Sequence, residues 1–95
     1  MMGNKIFDAV TAKGDNYICN MGTGSFIFLF DYDNGRRYGL YFATSADEQG
    51  GVTPIAASMG FDNFFNGFTI KDGKLYLNAK SSTQHVVIWK LTTVI

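Results

Sequence analysis

His85-Val86-Val87-Ile88-Trp89-Lys90-Leu91-Thr92-Thr93-Val94-Ile95 decides the fold class of this chain. The stretch reads as one long β-strand that runs to the final residue. Side chains of a strand alternate between two faces. One face carries His85, Val87, Trp89, Leu91, Thr93 and Ile95, and the other carries Val86, Ile88, Lys90, Thr92 and Val94. Both faces are largely apolar, so a single layer of cover is not enough. Trp89 and Leu91 are expected to be buried. A terminus inside its own strand is expected to be tied down. The reading is a compact β-domain finished by a central or interface strand.

Two hairpins extend the pattern. Phe26-Ile27-Phe28-Leu29-Phe30-Asp31-Tyr32 places an aromatic at every second position. Asn34-Gly35 follows, a strong signal for a two-residue turn because both residues accept positive φ, and Arg37 to Ser45 returns as the partner strand. That turn predicts Asp33 opposite Arg36, Asp31 opposite Tyr38, Leu29 opposite Leu40, Phe28 opposite Tyr41 and Phe30 opposite Gly39. A second hairpin spans Phe68 to Ala79 and turns at Asp72-Gly73. It sets Ile70 against Leu75 and Phe68 against Leu77.

The rest of the chain fills in around these. Residues 5–11 and 16–21 read as short strands about a Lys13-Gly14-Asp15 turn. Gly22 to Ser25 is a loop, 46–51 is a polar loop, and Lys80 to Gln84 is a polar turn. Val52 to Ser58 is a strand that Pro54 confines to an edge or a bulge. Met59 to Gly67 is the least regular stretch, with a short helical turn at 62–66 ended by Gly67 as one reading. Seven or eight short strands at about ten-residue spacing, with no helical period, predict an all-β fold. The expected architecture is an antiparallel β-sandwich, jelly-roll-like, in one domain over residues 1–95.

Composition points to assembly. The chain is 46% hydrophobic and 17% charged, where soluble domains carry roughly 25% charge. Ninety-five residues bury only a modest core, so some surface is expected to be covered by another subunit. Eight basic and eight acidic residues cancel, which gives no electrostatic footprint for nucleic acid or an anionic membrane. Arg36-Arg37 lies beside Asp31 and Asp33 and reads as a paired hairpin end. Cys19 is the single cysteine, so no intrachain disulfide forms, and it is expected to act as a small apolar residue. No signal peptide is visible, and no apolar run approaches the roughly 20 residues of a membrane span.

Candidate chemistry is sparse. Asp31-Tyr32-Asp33-Asn34-Gly35 departs from calcium-loop spacing, with glycine fifth and Phe42 at the twelfth position. Gly22-Thr23-Gly24-Ser25 lacks the third glycine and the helix of a dinucleotide site. His85 is the only histidine, and no nucleophile elbow accompanies it, so its role is expected to be structural. Three copies of His85 around a symmetry axis are the one arrangement that could share a metal. No catalytic residue, metal or cofactor is predicted. Phe61-Asp62-Asn63-Phe64-Phe65-Asn66-Gly67-Phe68 has two readings. Its rings plug one end of the core, or they form a platform on which a sugar stacks while Asp62, Asn63 and Asn66 bind hydroxyls.

The chain resembles the C-terminal, knob-like domains of bacteriophage and prophage tail-fibre or head-fibre proteins. The likeness rests on Gly22-Thr23-Gly24-Ser25 before an apolar strand, then Tyr38-Gly39-Leu40-Tyr41 and Val52-Thr53-Pro54-Ile55. Phe68-Thr69-Ile70-Lys71-Asp72-Gly73-Lys74-Leu75-Tyr76-Leu77 follows, then a Ser/Thr turn and Trp89-Lys90-Leu91. It spans most of residues 17–92 and is a likeness of pattern. It implies a trimeric β-sandwich knob in a virion that touches host surface glycans or proteins. The sequence departs from the family in having no shaft. The expected function is a non-enzymatic virion structural or recognition module, of the fibre-tip or decoration kind, working as a homo-oligomer beside other virion proteins. Asp62, Asn63, Phe64, Phe65 and Asn66 are the expected ligand contacts, and Val87, Trp89 and Leu91 the expected oligomer contacts. The alternatives are a free-standing carbohydrate- or ligand-binding module, extracellular or on a cell surface, and after it a small β-fold enzyme.

Overall fold

The computed structural model describes residues 2–22, 24–33, 35–44 and 51–92. The described residues form eight strands and one 3-10 turn, with no α-helix. The strands are β1 (Met2–Val10), β2 (Gly14–Asn20), β3 (Ser25–Asp31), β4 (Tyr38–Thr44), β5 (Gly51–Ala57), β6 (Phe65–Lys71), β7 (Lys74–Ala79) and β8 (His85–Thr92). They make a five-stranded sheet in the order β1-β8-β3-β4-β5 and a three-stranded sheet in the order β2-β7-β6, with every pairing antiparallel. The expected all-β sandwich is the observed fold. First strand pairs with last and second with seventh, a jelly-roll wrap. The meander β3-β4-β5 then widens the larger sheet.

The core is the layer between the sheets. Ile27, Leu29, Val86 and Ile88 of the large sheet are fully buried against Leu75 and Leu77 of the small one. β8 lies between β1 and β3, an interior strand of its sheet with a neighbour on each side. The predicted extension to Ile95 lies outside the described residues. The burial of Trp89 is corrected: Val86 and Ile88 face the core, and Trp89 points outward and is 38% exposed. Leu91, on the same outer side, is half-buried.

The β6–β7 hairpin has the expected register, Ile70 opposite Leu75 and Phe68 opposite Leu77. Asp72 and Gly73 both take positive φ, 53° and 72°, as its two-residue turn requires. The β3–β4 hairpin does not. Phe30 pairs with Tyr38, Leu29 with Gly39 and Phe28 with Leu40, one residue away from the predicted register, and Asn34 itself lies outside the described residues. A one-residue slip exchanges the faces of one strand relative to the other. Here it turns Gly39, Tyr41 and Ala43 inward beside Leu29, Ile27 and Ser25. Two packing demands fix that choice. A Cβ at Gly39 would lie 2.9 Å from the Phe61 ring, so the inward position tolerates only glycine. Asp31, wholly buried, also gains the Arg37 guanidinium.

β5 is an edge strand, and its register shifts opposite Leu40 and Tyr41, so Pro54 occupies both the edge and the irregularity expected of it. The predicted loop at 46–51 falls outside the described residues except for Gly51, which begins β5.

Candidate functional site

The phenylalanine-rich stretch divides by burial. Phe61–Asn63 is a 3-10 turn entered through Gly60 in the left-handed region. Phe61 and Phe65 face inward, 4% and 1% exposed, with ring centroids 5.1 Å apart. Phe68 and Tyr41 join them edge to face at 4.9 Å. These rings plug the core, and burial pushes the Tyr41 hydroxyl pKa up. Phe65 therefore cannot stack on a ligand, which corrects half of the platform reading. Phe64 is half-buried, and the Arg37 guanidinium carbon lies 3.7 Å from its ring centroid. One face of that ring is already occupied by a cation.

Arg37 ties this end of the molecule together. Its Nη1 donates to the Asp31 carboxylate and to Gln84 Oε1 at 3.1 Å. Asp31 Oδ1 also accepts the Asp33 backbone N–H at 3.0 Å. A buried carboxylate is tolerated only with such partners. Lys80 Nζ donates to the Asp62 carbonyl, and the Lys80 backbone N–H to that of Phe64 at 2.8 Å, so the 3-10 turn is pinned to the end of β7. Asp62, Asn63 and Asn66 remain exposed.

Nearby, His85 Nε2 lies 2.5 Å from Asp8 and the ring packs at 5.1 Å against Tyr32. The His85 hydrogen bond, and then that of Lys5, hold the Asp8 carboxyl below its ordinary range. These contacts tie the start of β8 to β1. Among the described residues no three His, Cys, Asp or Glu side chains gather as metal ligands. Cys19 is half-buried, and burial pushes its thiol pKa up, which disfavours the reactive thiolate.

The two outer faces of the sandwich differ in chemistry. On the small sheet, Asp15 and Tyr17 of β2, Tyr76 and Asn78 of β7, and Asn66 and Lys71 of β6 point outward. Four of them form a hydrogen-bonded chain. Lys71 Nζ donates to Asp15 Oδ2 at 2.7 Å, Asn78 Nδ2 to Asp15 Oδ1 at 2.9 Å, and Asn66 Nδ2 to Asn78 Oδ1 at 2.7 Å. The Lys71 hydrogen bond, first, and that of Asn78 lower the Asp15 pKa, and Asp15 in turn raises that of Lys71. The Tyr17 ring stands beside this chain, 50% exposed, edge-on to Tyr76 at 5.9 Å. Asn66 thus belongs to a wider polar surface than its own loop. Tyr17 was hidden in the sequence because a register irregularity between Tyr17 and Cys19 breaks the alternation of β2.

On the large sheet the outward side chains are apolar and stand in rows across three strands. Leu91, Phe26 and Phe42 form one row, Trp89, Phe28 and Leu40 the next, and Val87, Phe30 and Tyr38 the third. Phe26 and Phe42 meet edge to face at 5.3 Å, and Phe28 and Tyr38 stack at 6.3 Å. The expected oligomer contacts Val87, Trp89 and Leu91 are one strand of this surface. The other six positions lie on the hairpin over 26–42, 45 or more residues away in the chain and in a register shifted from the predicted one.

Comparison with protein-family models, with curated proteins and with solved structures finds no match for this chain.

Proposed function

We propose that the chain is a non-enzymatic structural and recognition module of a virion, of the fibre-tip or decoration kind, that contacts a glycan or protein on a host surface. It acts as a homo-oligomer, a trimer by its resemblance to fibre knobs, and sits beside other virion proteins. The observation that carries the recognition part is the polar face of the small sheet. A half-exposed aromatic ring beside amide and carboxylate groups is what a sugar needs: area for stacking, and directional partners for hydroxyls. The side chains are already fixed by one another, so little ordering is lost on binding. Asp62, Asn63 and Asn66 keep their expected role as hydroxyl partners. Tyr17 takes the stacking role first assigned to Phe64 and Phe65.

The same face supports a second reading, a free-standing carbohydrate-binding module outside any virion. Labelling of particles with an antibody against the chain separates the two. Recognition itself is tested with a glycan array and intact bacterial cells. Tyr17→Ala and Asn78→Ala are expected to lose binding with an unchanged melting temperature. Binding that survives both substitutions would remove this face from the reading.

A further inference from the structure

Among the described residues, nothing of the same chain covers the aromatic face of the large sheet. Phe28 sits in the middle of it, on the central strand β3 of five. Around it Phe42, Tyr38 and Trp89 are 36%, 40% and 38% exposed. We propose that a second copy of this chain docks on this face. The proposal rests on the homo-oligomer of the reading above and assigns its surface to a face-to-face pair of copies, in place of the trimer that the resemblance implies.

Area supports a macromolecular occupant. Strands spaced about 4.8 Å apart, with outward side chains about 6.8 Å apart along each, give the outer side of the five-stranded sheet, its rim on β1 and β5 included, a flat area of about 500 Å² over three rows. The whole monomer exposes 5592 Å², so the face is roughly a tenth of it, the share of surface that specific interfaces take. Two such faces bury about 1,000 Å² together, which reaches the lower bound for a specific contact.

Chemistry narrows the occupant to another copy. Among the nine outward side chains of the three rows, only the Tyr38 hydroxyl and the Trp89 indole N–H can hydrogen-bond. That is too little for a sugar, whose hydroxyls would be stripped of water without replacement. An anionic lipid surface would call for a basic rim. Here the rim on β1 is neutral, because Lys5 and Asp8 pair with each other at 3.0 Å. The chain is neutral overall, so copies approach without a repelling field. A flat, dry sheet is matched by another such layer, and every copy presents one.

Light scattering on size-exclusion eluates tests this. The wild type is expected to elute as an oligomer at high micromolar concentration. Phe28→Lys is expected to elute as a monomer that still melts cooperatively, and Tyr17→Glu, on the opposite face, as the wild-type oligomer. Trp89→Glu and Phe42→Glu, at positions already partly in water, carry the test if Phe28→Lys does not fold. An oligomer that persists in these variants would overturn the docking face and leave assembly standing. A monomeric wild type would overturn both.

Discussion

The two outer faces of this sandwich are built on the same alternation and end in opposite chemistry. β8 sends Val87, Trp89 and Leu91 outward, and β7 sends Lys74, Tyr76 and Asn78 outward. Both strands bury their other face in one shared core. An outer face that is polar and cross-linked by hydrogen bonds is at rest in water. An outer face of six aromatic rings with leucine and valine is not, and a chain with few charges cannot hide it. The inner faces hold the fold, and the outer faces carry the proposed contacts.

Stability separates inner from outer most sharply. Ile88→Ala removes a fully buried side chain and is expected to cost about 2–5 kcal/mol. Arg37→Ala leaves the buried Asp31 carboxylate without its cation and is expected to cost about 3–5 kcal/mol. Trp89→Ala, one residue along the strand from Ile88, is expected to cost about 1 kcal/mol or less in the monomer. Chemical denaturation at low protein concentration measures all three. A Trp89→Ala loss equal to that of Ile88→Ala would place Trp89 in the core and erase the distinction between the faces.

A smaller effect belongs to the polar face. The Asp15 carboxyl is held below its ordinary value of 3.8 by Lys71, so the pair's contribution is present above about pH 4 and is lost as pH falls through the lowered value. Lys71 is raised above 10.5, so the same contribution is present below that value and lost as pH rises through the raised one. Both groups are exposed, and the effect is small. Asp15→Asn is expected to lower the melting temperature slightly at neutral pH and to converge with wild type in acid, which flattens the acid side of the profile. A profile identical to wild type would show that the Asp15–Lys71 contact does not persist in solution.

Local rules read the β6–β7 hairpin correctly because Asp72-Gly73 determines its own turn. The same rules missed the β3–β4 register. There Asn34-Gly35 competes with a buried Asp31 that must meet Arg37, and with a glycine position that must admit Phe61 from a distant turn. Neither demand is visible in the hairpin itself. The parity of β8 was equally hidden, because a strand apolar on both faces does not say which face is core. Phe64 and Phe65 could not be told apart, since the 3-10 turn breaks the alternation that assigns a strand residue to a face. Tyr17 was lost in the irregularity of β2. The architecture was legible because many short strands and turns repeat one signal. The sites were not, because each depends on which elements meet.

Trp89 is the only tryptophan in the chain and stands on the aromatic face, so its fluorescence reports that face alone. Acrylamide quenching across protein concentrations tests the docking of copies on this face without altering a residue of the wild type. The indole is expected to be shielded at high micromolar concentration and accessible on dilution, with Phe28→Lys accessible throughout. An indole equally accessible in the wild type at high concentration and in Phe28→Lys would contradict that docking.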